Sequence, residues 1–367
     1  MPPPWSRTKR KSRKAEVERG GKGELETPIQ GFVRLRKHQL GKQSAIGTPV
    51  AATRIFPYRG NLGINLNWTD PDVDVGSIDP VLAPYRTGIE VTESLTGPLQ
   101  YNDIPTFFAA GMVGGVSPTG AGAAKTWTHT AQSTTATTFD YFTDEWSDDV
   151  TADGSQAFGG IINRIQWGFG PEMGAWDATS DWQFVNVHRP VTPTVGLSAS
   201  SNTGVFVYGT DTSFWINDTS GTIGTTQIVD AVHGMQQTIT NTIDVKRFAN
   251  GSNAVGRFGI SGFGLSARAI NTEITFAKTT ESIAEVAKWF NTSAQDRFLE
   301  IRNISPDIIT GSTPYSFNIK LAGRWYTRTD GEQNGNTTIV LGCNAFYDAT
   351  GLTYAYRGTT VNARSAL

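Results

Sequence analysis

Asp144, Glu145, Asp148 and Asp149 place four carboxyl groups within six positions. Paired carboxylates are what glycoside hydrolysis needs, one as acid and one as nucleophile or base. This run closes a strand-like pattern, however, and a hydrophilic stretch there reads as a turn. Asp70, Asp72 and Asp74 alternate as in the first half of a calcium loop. Gly76 comes one place too late for that loop, and its twelfth position is Val81 instead of Glu, so a solvated acidic loop is expected. Gly168, Gly170 and Gly174 have the wrong spacing for a dinucleotide fingerprint, and Pro171 blocks the helix start it requires. His38, His129, His188 and His233 are scattered without metal-ligand spacing. Cys343 alternates in phase with Ile339 and Leu341, which predicts a buried structural thiol. The reading is of no catalytic residue, no cofactor and no metal, and so of a protein that is not an enzyme.

Charge is distributed unevenly. Residues 1–43 hold 12 basic and 4 acidic residues, a net +8; with 31 basic and 33 acidic residues in all, the remainder has 19 and 29, a net −10. A basic arm on an acidic body implies different partners for the two parts. Arg7, Lys9, Arg10, Lys11, Arg13 and Lys14 put six positive charges in eight positions, with Trp5 beside them and few apolar residues around. Such a segment buries too little surface to order itself alone. It reads either as a nucleic-acid contact or, favoured here, as an inter-subunit arm docking on a neighbour's acidic body. The basic run is not followed by an apolar segment of the kind that makes a secretory signal. Phe107–Val116, the longest apolar stretch, is too short to span a bilayer.

Beyond residue 43 the pattern is one of strands. Tyr315, Phe317, Ile319 and Leu321 alternate with polar or small residues, as do Ile161, Ile165, Trp167 and Phe169, and Ile239, Ile243 and Val245. Further strands are expected over Ile89–Leu95 and Ile270–Phe276, with turns at Gly170-Pro171, Asp330-Gly331 and Asn334-Gly335. Many Gly and Thr, and Trp in phase with the apolar positions, suit short packed strands.

Two short amphipathic helices stand out. Asn102-Asp103 precedes Ile104, Phe107 and Phe108, and Gly111 and Gly114 end that helix. Ser282 and Glu285 read as a capping box for a second, with Ile283, Val286 and Phe290 on its core-facing side. Ile104 and Ile283 lie 179 positions apart, and a similar shift places Ile89 near Ile270, Phe139 near Phe317 and Ile161 near Ile339. The expected architecture is therefore mainly β, a sandwich or barrel with short flanking helices in two tandem copies. Its parts are a basic arm over 1–35, units over 36–190 and 202–367, and a linker over 191–201.

The segments GKQSAIGTPVAATRIFPYRGNLGINLNW, TESLTGPLQYNDIPTFFAAGMVGG, FGGIINRIQWGF and GNTTIVLGCNAFYDATGLTYAYRGTTVNA resemble the tail tube proteins (major tail proteins) of long-tailed, siphovirus-type bacteriophages. The resemblance runs over roughly residues 36 to 365, through fold-level patterns, and leaves out the basic extension. It implies a structural virion protein whose inner strands join those of neighbouring copies in rings that stack into a conduit for DNA ejection. It also implies a place in the virion tail, with assembly in the host cytoplasm. The partners implied are the chain itself, the tape measure, terminator and distal tail proteins, and double-stranded DNA passing without specific binding; no membrane is involved. With a duplicated unit, a trimeric pseudo-hexamer is expected in place of a hexamer. The rival reading is a viral capsid protein with a genome-binding arm and a jelly-roll body, and an adhesin module comes third.

Overall fold

A computed structural model describes residues 35–72, 83–131, 138–148, 153–197, 204–248, 255–291 and 294–367. The arm residues Arg7, Lys9, Arg10, Lys11, Arg13 and Lys14, together with Asp74 and Asp149, lie outside them.

The described chain is mainly β and antiparallel throughout, its strands joined by pairing into one connected network. The first half supplies β1 (Lys37–Lys42), β2 (Arg54–Phe56), β3 (Arg59–Thr69), β4 (Tyr85–Pro98), α1 (Ile104–Gly111), β5 (Lys125–Thr130), β6 (Phe142–Ser147), β7 (Ser155–Phe169), β8 (Asp177–Phe184) and β9 (Asn186–His188). The second supplies β10 (Thr212–Asp218), β11 (Gln227–Ile228), β12 (Val232–Lys246), β13 (Gly262–Ala277), α2 (Thr280–Phe290), β14 (Asp296–Thr310), β15 (Thr313–Gln333), β16 (Asn336–Ala345) and β17 (Tyr356–Asn362).

The two halves pair alike. In the first, β2 pairs with β1, β1 with β6, β6 with β7, β7 with both β9 and β8, β8 with β4 and β4 with β3. In the second the same series runs β11, β10, β14, β15, then β17 and β16, then β13 and β12. The bulges recur as well. Thr87 of β4 and Ser266 of β13, 179 positions apart, are each the extra residue opposite the hairpin partner. Asn163 of β7 and Tyr326 of β15 are the extra residues opposite β8 and β16. A bulge re-aims the strand that carries it, so its recurrence at matching places marks the same local geometry twice.

The constant spacing holds only as far as the helices. Ile161 belongs to β7, whose counterpart is β15, whereas Ile339 lies on β16; Phe139 precedes β6, the counterpart of β14, whereas Phe317 lies on β15. The first half inserts β5 and its flanking loops between α1 and β6, and α2 leads almost directly into β14. That insertion shifts every later element.

Two expected turns fare differently. Asn334 and Gly335 adopt positive φ (51° and 77°) and close the β15–β16 hairpin, a geometry that Asn-Gly suits. Asp330-Gly331 is not a turn: β15 runs through it, held by pairing with β16 up to Gln333.

One hydrophobic core serves both halves. Phe108 of α1 places its ring 5.2 Å from Trp167, 5.3 Å from His129, and 6.0 Å from both Phe317 and Tyr356. Ile104, Phe107 and Phe108 are buried, as is every other residue of α1, so this helix is enclosed by strands and has no solvent face.

The second helix turns a different side inward than its apolar residues suggest. Phe290 is 82% and Ile283 49% exposed, and only Val286 of the expected packing face touches the core. Ser282, Glu285 and Trp289, spaced i, i+3 and i+7, face inward instead. The reason is polar. Arg297 Nη2 donates to Glu285 Oε1 (2.9 Å) and Trp325 Nε1 to Glu285 Oε2 (3.2 Å), so Glu285 anchors the helix to the sheet. The cap is Thr279, reciprocally bonded to Ser282, one turn before the expected Ser282–Glu285 box.

Candidate assembly interface

The halves meet edge to edge. Thr240–Met235 of β12 pairs antiparallel with Arg164–Phe169 of β7, on the edge of β7 opposite β8. Gln237 stitches this joint from within. It accepts at Oε1 from Trp167 Nε1 (2.9 Å) and from the Tyr356 hydroxyl (2.8 Å), and its Nε2 donates to Thr272 Oγ1 (2.9 Å). Asn241 Nδ2 donates to the carbonyls of Gly111 (2.7 Å) and Ile162 (3.1 Å), while Arg268 donates to Asn241 Oδ1 (2.9 Å) and the Met112 carbonyl (2.7 Å). Buried polar groups satisfied in this way specify one register.

The joint requires a glycine. A Cβ on Gly168 would lie 2.0 Å from the Met235 carbonyl oxygen and 2.9 Å from Gln236 Cα, so no larger residue fits under β12.

The edges left unpaired among the described residues include those of β3 and of the far end of β15. β3 pairs only with β4, and none of its eleven residues is buried. Leu62, Ile64, Leu66 and Trp68 alternate along one of its faces, with Leu66 41% and Trp68 57% exposed. β15 loses β14 at Arg324, and beyond it Thr327–Gln333 pairs with β16 alone; Tyr326 through Glu332 are all exposed.

Elsewhere the structure gathers charge that the sequence scatters. Asp144 and Glu145 are not in a turn; they lie in β6, paired along its length with β1, and both are buried. As strand neighbours they point to opposite faces and do not converge on one substrate. Glu145 accepts from the backbone N–H of Ala52 and Thr194 and from Gln156. Asp144 meets Glu93 and His38, whose Nδ1 lies 2.9 Å from Glu93 and 3.2 Å from Asp144. Burial disfavours the His38 cation, but the charges of Asp144 and Glu93 overcome it and raise the imidazole to about 10. Burial, then the charge of Asp144, raises Glu93 to about 7, against the pull of His38. These three donors lie within 4.8 Å of one another and could hold a divalent cation; a protonated His38 already supplies positive charge there. No local signal marks this cluster, because its members lie on β1, β4 and β6.

A second cluster ties the segment after β17 to the start of α1 and to β2. Asp103, the N-cap of α1, uses its carboxylate to meet Arg54 (3.3 Å) and Arg364 (3.5 Å), and Arg364 Nε donates to the Asn102 carbonyl (2.5 Å). His129 is neutral core: burial, then the charge of Lys42, lowers it to about 3. No helix among the described residues is long and apolar enough to cross a membrane. Compared with known proteins, the chain matches no family model and no curated sequence.

Proposed function

We propose that this is a structural protein that assembles with copies of itself into rings, and that the rings stack into the tail tube of a long-tailed bacteriophage, the conduit for DNA ejection. The observation that carries the reading is the β7–β12 joint, in which two halves with the same strand pairing are already joined edge to edge within one chain. A chain whose halves are already joined through β7–β12, with β5–β17 as a second pairing between them, and whose β3 and β15 edges are open is suited to continue the series around an axis, and closure removes edges that would otherwise invite aggregation. Three chains then make six half-units. The acidic body beyond residue 43 suits a bore that must not hold DNA, since each neutralised phosphate adds affinity by counterion release. The basic arm, in this reading, crosses to an adjacent subunit or ring, and the tube ends meet the tape measure, terminator and distal tail proteins.

Negative-stain microscopy of the purified chain, with mass per ring from native mass spectrometry, tests the proposal. Tubes or rings of three copies are expected. Six copies per ring would overturn the use of the duplication, closed shells would favour a capsid role, and a monomer at every concentration would end the proposal.

A further inference from the structure

We infer that the joint between copies is made by β3 of one chain adding antiparallel to the Thr327–Glu332 edge of β15 in the next, in the register of the internal β12–β7 joint. This deepens the ring reading and rests on it.

The register follows from the bulges. Gly168 lies five places after the bulged Asn163, and Gly331 lies five places after the bulged Tyr326. On the other partner, Gln236 lies six places before Thr242 at the β12 bulge, and Asn61 lies six places before Asn67 at the β3 bulge. Gly168 pairs with Gln236 inside the chain. Gly331 therefore meets Asn61 of the next copy, Asp330 meets Leu62, and Thr327 meets Asn65.

Three observations support this partner over any other. First, both strands are the counterparts of the two that form the internal joint, and on each the edge in question is unpaired among the described residues. Second, little within its own chain asks for glycine at Gly331 beyond one tight contact. It sits mid-strand without a positive φ, and a Cβ there would meet only the Thr338 hydroxyl, at 3.0 Å. The corresponding Gly168 is glycine because a strand crosses it. A glycine inside a strand marks close approach of another backbone. Third, the register places exposed Leu66 beside exposed Tyr326, and sets half-buried Leu62 and Ile64 where the buried Gln237 and Ile239 sit in the internal joint. An edge of this length with an apolar face is a liability unless something covers it. Because β3 and β15 are different surfaces, the contact is head-to-tail, the kind that builds rings or filaments and not closed dimers.

The test uses the full chain. Leu62→Cys combined with Asp330→Cys should give a ladder of disulfide-linked multimers on mild oxidation, since opposed antiparallel residues lie within disulfide reach. Native Cys343 is buried and does not interfere. Each single variant should give no ladder, and Leu62→Cys with Arg328→Cys, two places out of register, should link far less. A cross-link from Leu62→Cys alone would mean that β3 pairs with itself and would overturn the inference. Gly331→Val should leave the circular dichroism of the isolated chain unchanged, with at most a small drop in melting temperature as the Thr338 hydroxyl gives way, and lower the assembled fraction by about tenfold or more. If this variant assembles like the native chain, the pairing is wrong. Rings from the native chain without the Leu62–Asp330 link would sink the pairing and leave the ring reading intact. The link in open filaments would do the reverse, and a native chain that never assembles would sink both.

Discussion

Phe108→Ala probes whether the halves share one core. The ring is fully buried in α1, and its neighbours are Trp167 and His129 from the first half and Phe317 and Tyr356 from the second. A Cβ at Gly358 would lie 2.4 Å from this ring, so the β17 backbone rests directly on it. Walls made of paired strands cannot collapse into the space left by truncation, which puts the loss in the upper part of the usual range for Phe→Ala, about 4–5 kcal/mol. Unfolding roughly 330 residues carries an entropy of about 0.7 kcal/mol per kelvin, so the melting temperature should fall by about 6–7 °C. Differential scanning calorimetry of the unassembled chain reads this directly. One transition shifted as a whole is the expected result. Two transitions, with only one displaced, would show that each half has its own core and would refute the argument, as would a shift under about 2 °C.

In α2 the exposed and buried faces predict opposite outcomes: Phe290→Ala should change urea stability by less than about 0.5 kcal/mol, while Glu285→Ala, which leaves Trp325 Nε1 and Arg297 Nη2 without their acceptor and Arg297 with Asp218 as its remaining ion-pair partner, should lose about 1–3 kcal/mol. The His38 cluster sets a sign with pH. His38 is raised from 6.5 to about 10 and Glu93 from 4.5 to about 7, so the folded state holds both protons more tightly than the unfolded chain. Their contribution is full at low pH and falls from about 4.5 to 7 through Glu93, then from about 6.5 to 10 through His38. Urea titrations across that range should show native stability declining relative to Glu93→Gln below pH 7, and a rising difference would contradict the assigned charge states. Burial raises the Cys343 thiol well above its ordinary value, so a thiol reagent at neutral pH should label the folded chain only as fast as it unfolds; rapid labelling without denaturant would place the thiol at the surface.

Local pattern alone was enough for much of the architecture. The alternation Tyr315, Phe317, Ile319, Leu321 marks a strand with those four residues inward, and all four are buried. Asn334-Gly335 announces its hairpin because its chemistry is that of the turn, and Ile104 to Gly111 forms a helix where Asp103 and Gly111 bracket it. Cys343 is buried as its phase with Ile339 and Leu341 requires. Each of these depends on neighbours within a few positions. Other features depend on what lies across the fold. The side of α2 that turns inward was decided by Arg297 and Trp325, which attract Glu285 more strongly than solvent repels Phe290. Asp144 could be read as part of a turn until β1 and β4 brought His38, 106 positions away, and Glu93 against it. The matching of β7 with β15 was hidden by the insertion around β5, which breaks constant spacing without breaking the pairing order. The meaning of Gly331 was likewise hidden, since Asp-Gly reads as a turn until pairing with β16 carries the strand through it. Sequence determines which residues prefer a pleated, half-buried backbone; tertiary structure decides which edges meet, because strand pairing is a long-range choice set by closure of the whole sheet.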